Sequence, residues 1–297
     1  MRHRLEYAAV VCVLALVRVL PRRASMWLGS GLGWLFRVLQ GRRRQQALDN
    51  LRAAFPSRTE DECLGILRDT FKHFGRHIVE LIKFDAMEAD EVMRLVEIEG
   101  EERIEQAFAR GTGVMFCASH FGYWELQLMM HGFRHKPMVV VARKLDNPLL
   151  ERVIERIRAR VGTRVVPRRG AIRGVLRALL KREAVVMMID QHIQDRSAVM
   201  VDFFNRPAST TSALAALALR TGAPIIPVFA LPLPGGRYRM IYEAPIKPPA
   251  DDDPDPIRTY TQRCTDLLEM YVRRDPELWL WMHRRWRTPA LSPDSEA

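Results

Sequence analysis

Gly113-Val114-Met115-Phe116-Cys117-Ala118-Ser119-His120-Phe121-Gly122-Tyr123-Trp124-Glu125-Leu126-Gln127-Leu128-Met129-Met130 reads as a strand, a turn and the start of a helix. Residues 113–118 form a short apolar run opened by a glycine, the pattern of a buried strand. Residues 124–130 lose period-2 alternation and are rich in helix formers. His120 therefore falls in the turn at the carboxyl end of a strand, where open α/β sheets carry their active sites.

An imidazole titrates near neutrality, so it can take a proton from a hydroxyl and return it to a leaving group. It does this best when a carboxylate accepts a hydrogen bond from its other ring nitrogen. Glu125 is the candidate partner. Residues i and i+5 of a regular helix lie on different faces, but with His120 in the turn, Gly122 lets the backbone fold so that the two meet. The same spacing fits a buried histidine capping a helix, with a glutamate on its solvated face.

Outward from this stretch, runs of strand and helix character alternate: 138–142, 148–161, 164–166, 170–182 and 184–189. Continuous valine-rich strands separated by helices indicate an α/β sheet with parallel pairs, covered on both faces. Strand-like runs 199–204 and 224–230 flank a helix over 210–221, and 238–243 reads as an edge strand. Proline-rich 245–256 is a surface loop before a last helix, 257–274. Upstream, residues 45–84 are helical with a break at Phe55-Pro56-Ser57, after which Ser57 or Thr59 caps the next helix. His73, His77 and Glu80 share one face of that helix. They have the spacing of a metal site, though a second polar face is ordinarily solvated or turned to a membrane.

The chain has 297 residues, 48% of them hydrophobic, enough for a substantial core in one large domain or two small ones. A net charge of +11 implies an anionic partner: nucleic acid, anionic lipid, or a phosphorylated or acidic-protein substrate. The four cysteines, Cys12, Cys63, Cys117 and Cys264, have no zinc-site spacing and read as reduced core thiols on the cytoplasmic side of a membrane. Two apolar stretches, 7–20 and 26–39, are flanked by Arg2, Arg4, Arg22 and Arg23 and by Arg42-Arg43-Arg44. They fit an interfacial anchor or a single tilted span over residues 1–40, with Trp27 and Trp34 at headgroup level. The alternative is a buried helical hairpin in a soluble domain.

Two further patterns carry charge. Arg169, Arg173, Arg177 and Lys181 recur every four residues, so one helix presents a cationic ridge. This is either a solubilising face or a dock for an acidic carrier protein or for headgroups. Trp279-Leu280-Trp281-Met282-His283-Arg284-Arg285-Trp286-Arg287 interleaves aromatics with arginines, which suits base stacking or an arginine cluster gripping phosphate.

His120-Phe121-Gly122-Tyr123-Trp124-Glu125, Ala142-Arg143 before Asp146-Asn147-Pro148, Ile189-Asp190-Gln191, Phe203-Phe204, Thr221-Gly222-Ala223-Pro224 and Trp281-Met282-His283-Arg284-Arg285-Trp286 together resemble the bacterial lipid A biosynthesis (lauroyl/myristoyl) acyltransferase family. Asn50-Leu51 and Phe55-Pro56 extend the likeness over nearly the whole chain. The resemblance implies a glycerolipid acyltransferase-like fold: a mixed, largely parallel α/β sheet covered by helices in 41–290, with an N-terminal helical membrane anchor. It implies an O-acyl transfer with His120 as general base and Glu125 as its orienting carboxylate. Arg143, Asp190, Gln191 and Arg284 become substrate contacts, and the Arg169 to Lys181 ridge a dock for acyl carrier protein. Neither metal nor cofactor is required. The implied donor is an acyl carrier protein thioester, or coenzyme A, and the implied setting is the cytoplasmic face of the inner membrane, without nucleic acid. Asn205 departs from the family pattern, which has glycine after Phe203-Phe204. Outside that class, Cys117 or Ser119 as nucleophile of a hydrolase, and a basic binding protein without catalysis, are the alternatives.

Overall fold

The computed structural model describes residues 2–168, 170–194 and 198–287. Its strands are β1 (Val96–Glu99), β2 (Val114–Ala118), β3 (Met138–Ala142), β4 (Arg164–Pro167), β5 (Ala184–Met188), β6 (Ala198–Asp202), β7 (Pro207–Thr211), β8 (Ile225–Leu233) and β9 (Arg237–Tyr242). The main sheet has the order β1-β9-β8-β2-β5-β3-β4, and β6 and β7 form a separate antiparallel ribbon. From β8 to β4 the strands are parallel, β9 returns antiparallel to β8, and β1 runs parallel to β9 at the edge.

The helices are α1 (Arg2–Val19), α2 (Arg22–Leu39), α3 (Gly41–Ala54), α4 (Glu60–Asp85), α5 (Ala89–Arg94), α6 (Glu101–Ala109), α7 (Trp124–Arg134), α8 (Pro148–Arg160), α9 (Ala171–Leu180), α10 (Ala213–Thr221) and α11 (Pro256–Arg274). Strand alternation sorts the core into two layers. Val114, Phe116 and Ala118 of β2 face Leu126, Met129 and Met130 of α7 and Ile104 of α6. Met115 and Cys117 face Val175 and Leu179 of α9, Leu214 of α10 and Cys264 of α11. The expected mixed, largely parallel sheet covered on both faces is thus present.

Three local expectations change. The segment expected at the edge, now β9, is covered by β1, a four-residue strand whose half-exposed Val-Glu-Ile-Glu gives little hydrophobic signal. The helix expected from residue 210 begins at Ala213, because 207–211 pair with β6. The β6–β7 turn holds Phe204 and Asn205 at φ 60° and 55°, so the asparagine that stands in place of the family's glycine adopts a left-handed backbone.

At the N-terminus, α2 lies directly on α4. A Cβ on Gly33 would stand 2.1 Å from the Phe71 carbonyl oxygen, and one on Gly75 would stand 2.0 Å from that of Gly29. Only glycine permits this backbone contact. Val17 of α1 packs with Val79 and Ile82 of α4, while Val19, Trp27, Trp34, Leu35 and Leu39 stay exposed. Among the described residues, no helix is long and apolar enough to cross a membrane.

Candidate active site

Register brings the site together. Ala118 of β2 pairs with Met188 of the neighbouring parallel strand β5, so two residues farther on His120 and Asp190 emerge side by side at the carboxyl end of the sheet. His120 Nδ1 lies 3.0 Å from Asp190 Oδ1, and the His120 backbone N–H donates to Oδ2 at 2.9 Å. Trp279 Nε1–H donates to the same Oδ2 at 3.0 Å. The Asp190 side chain is only 2% exposed, whereas that of His120 is 19% exposed. Thus the carboxylate is sealed and the ring reaches the open side.

The pair's titration follows from this arrangement. Burial disfavours the His120 imidazolium, but the Asp190 charge and hydrogen bond, helped by the Glu125 charge, outweigh it and hold the pKa above the ordinary histidine value. Burial likewise pushes Asp190 up, and the His120 charge with the bonds from His120 and Trp279 brings it below the ordinary carboxylate value. A carboxylate acceptor at Nδ1 makes that nitrogen the donor, which leaves the lone pair of the neutral ring on Nε2.

The turn carrying His120 is fixed from several directions. Gly122 has φ 60°, and a Cβ there would meet the Ala230 carbonyl oxygen at 2.2 Å. Its N–H donates to Leu278 O, and that of Tyr123 to Ala230 O, both at 2.9 Å. Leu280 N–H donates to His120 O at 3.1 Å. His73 Nε2 of α4 donates to Gly122 O at 3.1 Å, and His77 stacks on Trp124 with centroids 3.9 Å apart. Burial drives the pKa of His73 to about 4 and that of His77 well down, so both are neutral. With Glu80 paired to Arg22 at 3.0 Å, this face of α4 is buried against α2 and α7, contrary to the solvated face expected.

The hydrogen bond expected between His120 and Glu125 is not formed. Glu125 points from the first turn of α7 toward α8, where Arg158 engages it twice, Nη2 to Oε1 at 2.5 Å and Nε to Oε2 at 3.2 Å. It acts on His120 through its charge. Asp190, expected among the substrate contacts, is closed off beneath the histidine instead. Gln191 is exposed, its Nε2 3.5 Å from His120 Nε2. Arg143 ends up exposed beyond β3, paired with Asp146. Arg284 is exposed on the C-terminal segment, next to His283, whose Nε2 accepts the His192 backbone N–H at 3.0 Å.

Of the cationic ridge, Arg173, Arg177 and Lys181 are exposed, and Arg169 lies outside the described residues. The Cys117 thiol is buried against Cys264, whose hydrogen bond together with burial pushes its pKa well up. Ser119 Oγ is buried without a hydrogen-bond partner. Neither group is presented as a nucleophile. Trp279 and Trp281 lie in the core, which removes them as stacking platforms for bases.

The bacterial lipid A biosynthesis acyltransferase family model matches residues 1–288. The lipid A biosynthesis lauroyltransferase of Escherichia coli is 29% identical over 279 residues, 93% of this chain and 89% of that protein. The palmitoleoyltransferase of the same organism is 27% identical over 278 residues, again 93% and 89%. A phosphatidylinositol mannoside acyltransferase of Mycobacterium tuberculosis is 26% identical over 222 residues, covering 73% of this chain and 69% of its own length. A match over 288 of 297 residues, spanning the β2 turn, α4 and the C-terminal tryptophans alike, makes this chain an acyl-transferring enzyme of the bacterial lipid A biosynthesis acyltransferase family.

Proposed function

We propose that the protein moves a fatty acyl chain from an acyl carrier protein thioester, or from acyl coenzyme A, to a hydroxyl of a lipid A precursor at the inner membrane. The observation that supports this best is a sealed Asp190 bonded to His120 Nδ1, with Nε2 turned to the open side. Nε2 accepts the hydroxyl proton as the acceptor oxygen attacks the thioester carbonyl, and the imidazolium so formed is stabilised by Asp190. Collapse of the tetrahedral intermediate expels the thiolate, which takes that proton back from Nε2. The chain's own residues thus balance the proton, and no protein nucleophile is used.

Glu125 adds negative charge beside the imidazolium while Arg158 fixes its place. Among the described residues, the N–H groups of Gly122 and Tyr123 are committed to Leu278 and Ala230, whereas those of Trp124 and Glu125 at the start of α7 have no acceptor. They are the available oxyanion donors. Residues 1–40 serve as an interfacial anchor for the transferase body, 41–290: Trp27, Trp34 and Leu39 enter the headgroup region of an anionic leaflet. Arg173, Arg177 and Lys181 steer the acidic carrier, and Arg143 and Gln191 contact substrate.

The test is to incubate the purified protein with acyl carrier thioester and a lipid acceptor. Acylated lipid is the expected product. Free fatty acid alone would instead make the protein a thioesterase.

A further inference from the structure

A pocket of about 430 Å³ opens beside the histidine, lined by Arg42, Arg43, Arg284 and Arg287 together with Gln191 and His283. Among the described residues, no carboxylate pairs with any of the four arginines. The pocket is also built rather than incidental. Asn50 Nδ2 of α3 donates to Trp281 O at 2.8 Å and to His283 O at 2.7 Å. This clamp holds Arg42 and Arg43, in the first turn of α3, across from Arg284 and Arg287 on the C-terminal segment. The positive end of the α3 dipole adds to the field. Burial lowers the His283 pKa to about 4, and its Nε2 accepts the His192 N–H, so this wall adds no fifth charge.

We propose that this pocket binds a phosphate monoester carried by the acceptor and thereby sets which hydroxyl reaches His120. The proposal rests on the transfer reading above and names the chemistry of its acceptor. A phosphate monoester carries between one and two negative charges near neutrality, and arginine forks engage its oxygens in pairs. Position separates acceptor from donor. Gln191 lines the pocket and touches the environment of His120 Nε2, the atom that must meet the acceptor hydroxyl. An anion here therefore lies near the attacking oxygen of the acceptor. The phosphodiester of a carrier-bound donor is set back from its thioester by the whole pantetheine arm and carries a single charge, and the 3′-phosphate monoester of coenzyme A lies farther from its thioester still.

The experiment compares two glycolipid acceptors that differ only by one phosphate monoester, presented in neutral detergent micelles with saturating acyl donor. Wild type is set against Arg42→Gln/Arg43→Gln and Arg284→Gln/Arg287→Gln, each checked for an unchanged melting temperature. Loss of charge-assisted bonds should raise KM for the phosphorylated acceptor roughly tenfold or more in each variant. The dephosphorylated acceptor should be used equally by all three proteins, and KM for the donor should not change. Equal discrimination by wild type and variants, or a rise in donor KM instead, overturns the proposal. So does a defect confined to acceptors in anionic vesicles, which would assign the arginines to bulk headgroups. Binding of the two acceptors without donor separates this from the function: phosphate-dependent binding without turnover would sink the transfer reading alone, and turnover indifferent to phosphate would sink the pocket alone.

Discussion

Asp190 Oδ1 sits 3.0 Å from His120 Nδ1, two residues brought level by the pairing of Ala118 with Met188 and separated by 70 positions in sequence. Replacing Asp190 with Asn keeps the shape and removes the charge. Turnover should fall by about two to four orders of magnitude, because neither the tautomer nor the imidazolium is then supported. Steady-state kinetics on folded protein measures this, and near-normal turnover would deny Asp190 its orienting role.

The same pair predicts a pH profile. The base must be neutral to work, so kcat/KM should rise with pH through an apparent pKa above the ordinary histidine value. In Asp190→Asn, burial is opposed only by the Glu125 charge, the smallest of the contributions, and that limb should move to lower pH. For stability the signs are opposite. The raised His120 contributes at low pH and loses its contribution as pH rises through its folded pKa, whereas the lowered Asp190 contributes above its unfolded value and loses it as pH falls through its folded one. An acidic limb that stays put in the variant would contradict the assignment.

Much of this arrangement is legible in the sequence, and the reason for the remainder is physical. The apolar run at 113–118, its turn and the helix after it announce where His120 lies, since they depend on local pattern alone. The identity of its partner is not local. Glu125 is near in sequence but drawn away by Arg158, while Asp190 arrives through strand register, which only the assembled sheet sets. Ile189-Asp190 at the end of a valine-rich run was the available signal. His73, Trp279 and Arg158 gave less: each acts through a contact with a distant element, and periodicity on α4 marks its polar face without saying what covers it.

Glu125 is held by Arg158 rather than by the histidine, so Arg158→Gln should free its carboxylate and lower activity, by roughly tenfold rather than a hundredfold or more, since Asp190 remains. An effect on turnover as large as that of Asp190→Asn would show that Glu125 and Arg158 act directly on the substrate.

The proposed interfacial anchor can be tested on the exposed face of α1 and α2. Because α2 meets α4 backbone to backbone at Gly33 and Gly75, removing residues 1–40 would uncover α4, and surface changes are the cleaner probe. Trp27→Ser, Trp34→Ser and Leu39→Ser together should release the protein from anionic vesicles in flotation assays with little change in melting temperature. Undiminished flotation would place the attachment elsewhere.

Reversing Arg173 and Arg177 to Glu should raise KM for an acyl carrier thioester, more so at low salt, while leaving a short acyl-thioester analogue unaffected. Equal loss with both donors would remove the ridge from carrier docking.

The most direct test of the catalytic account is the rate of acyl transfer by purified His120→Ala with acyl carrier thioester and lipid acceptor, beside wild type and Cys117→Ala at matched folded concentration. His120→Ala should fall to about a hundredth of wild type or less while Cys117→Ala keeps most of its rate, since the acceptor oxygen itself attacks. Transfer by His120→Ala at close to the wild-type rate would contradict a general-base role for His120.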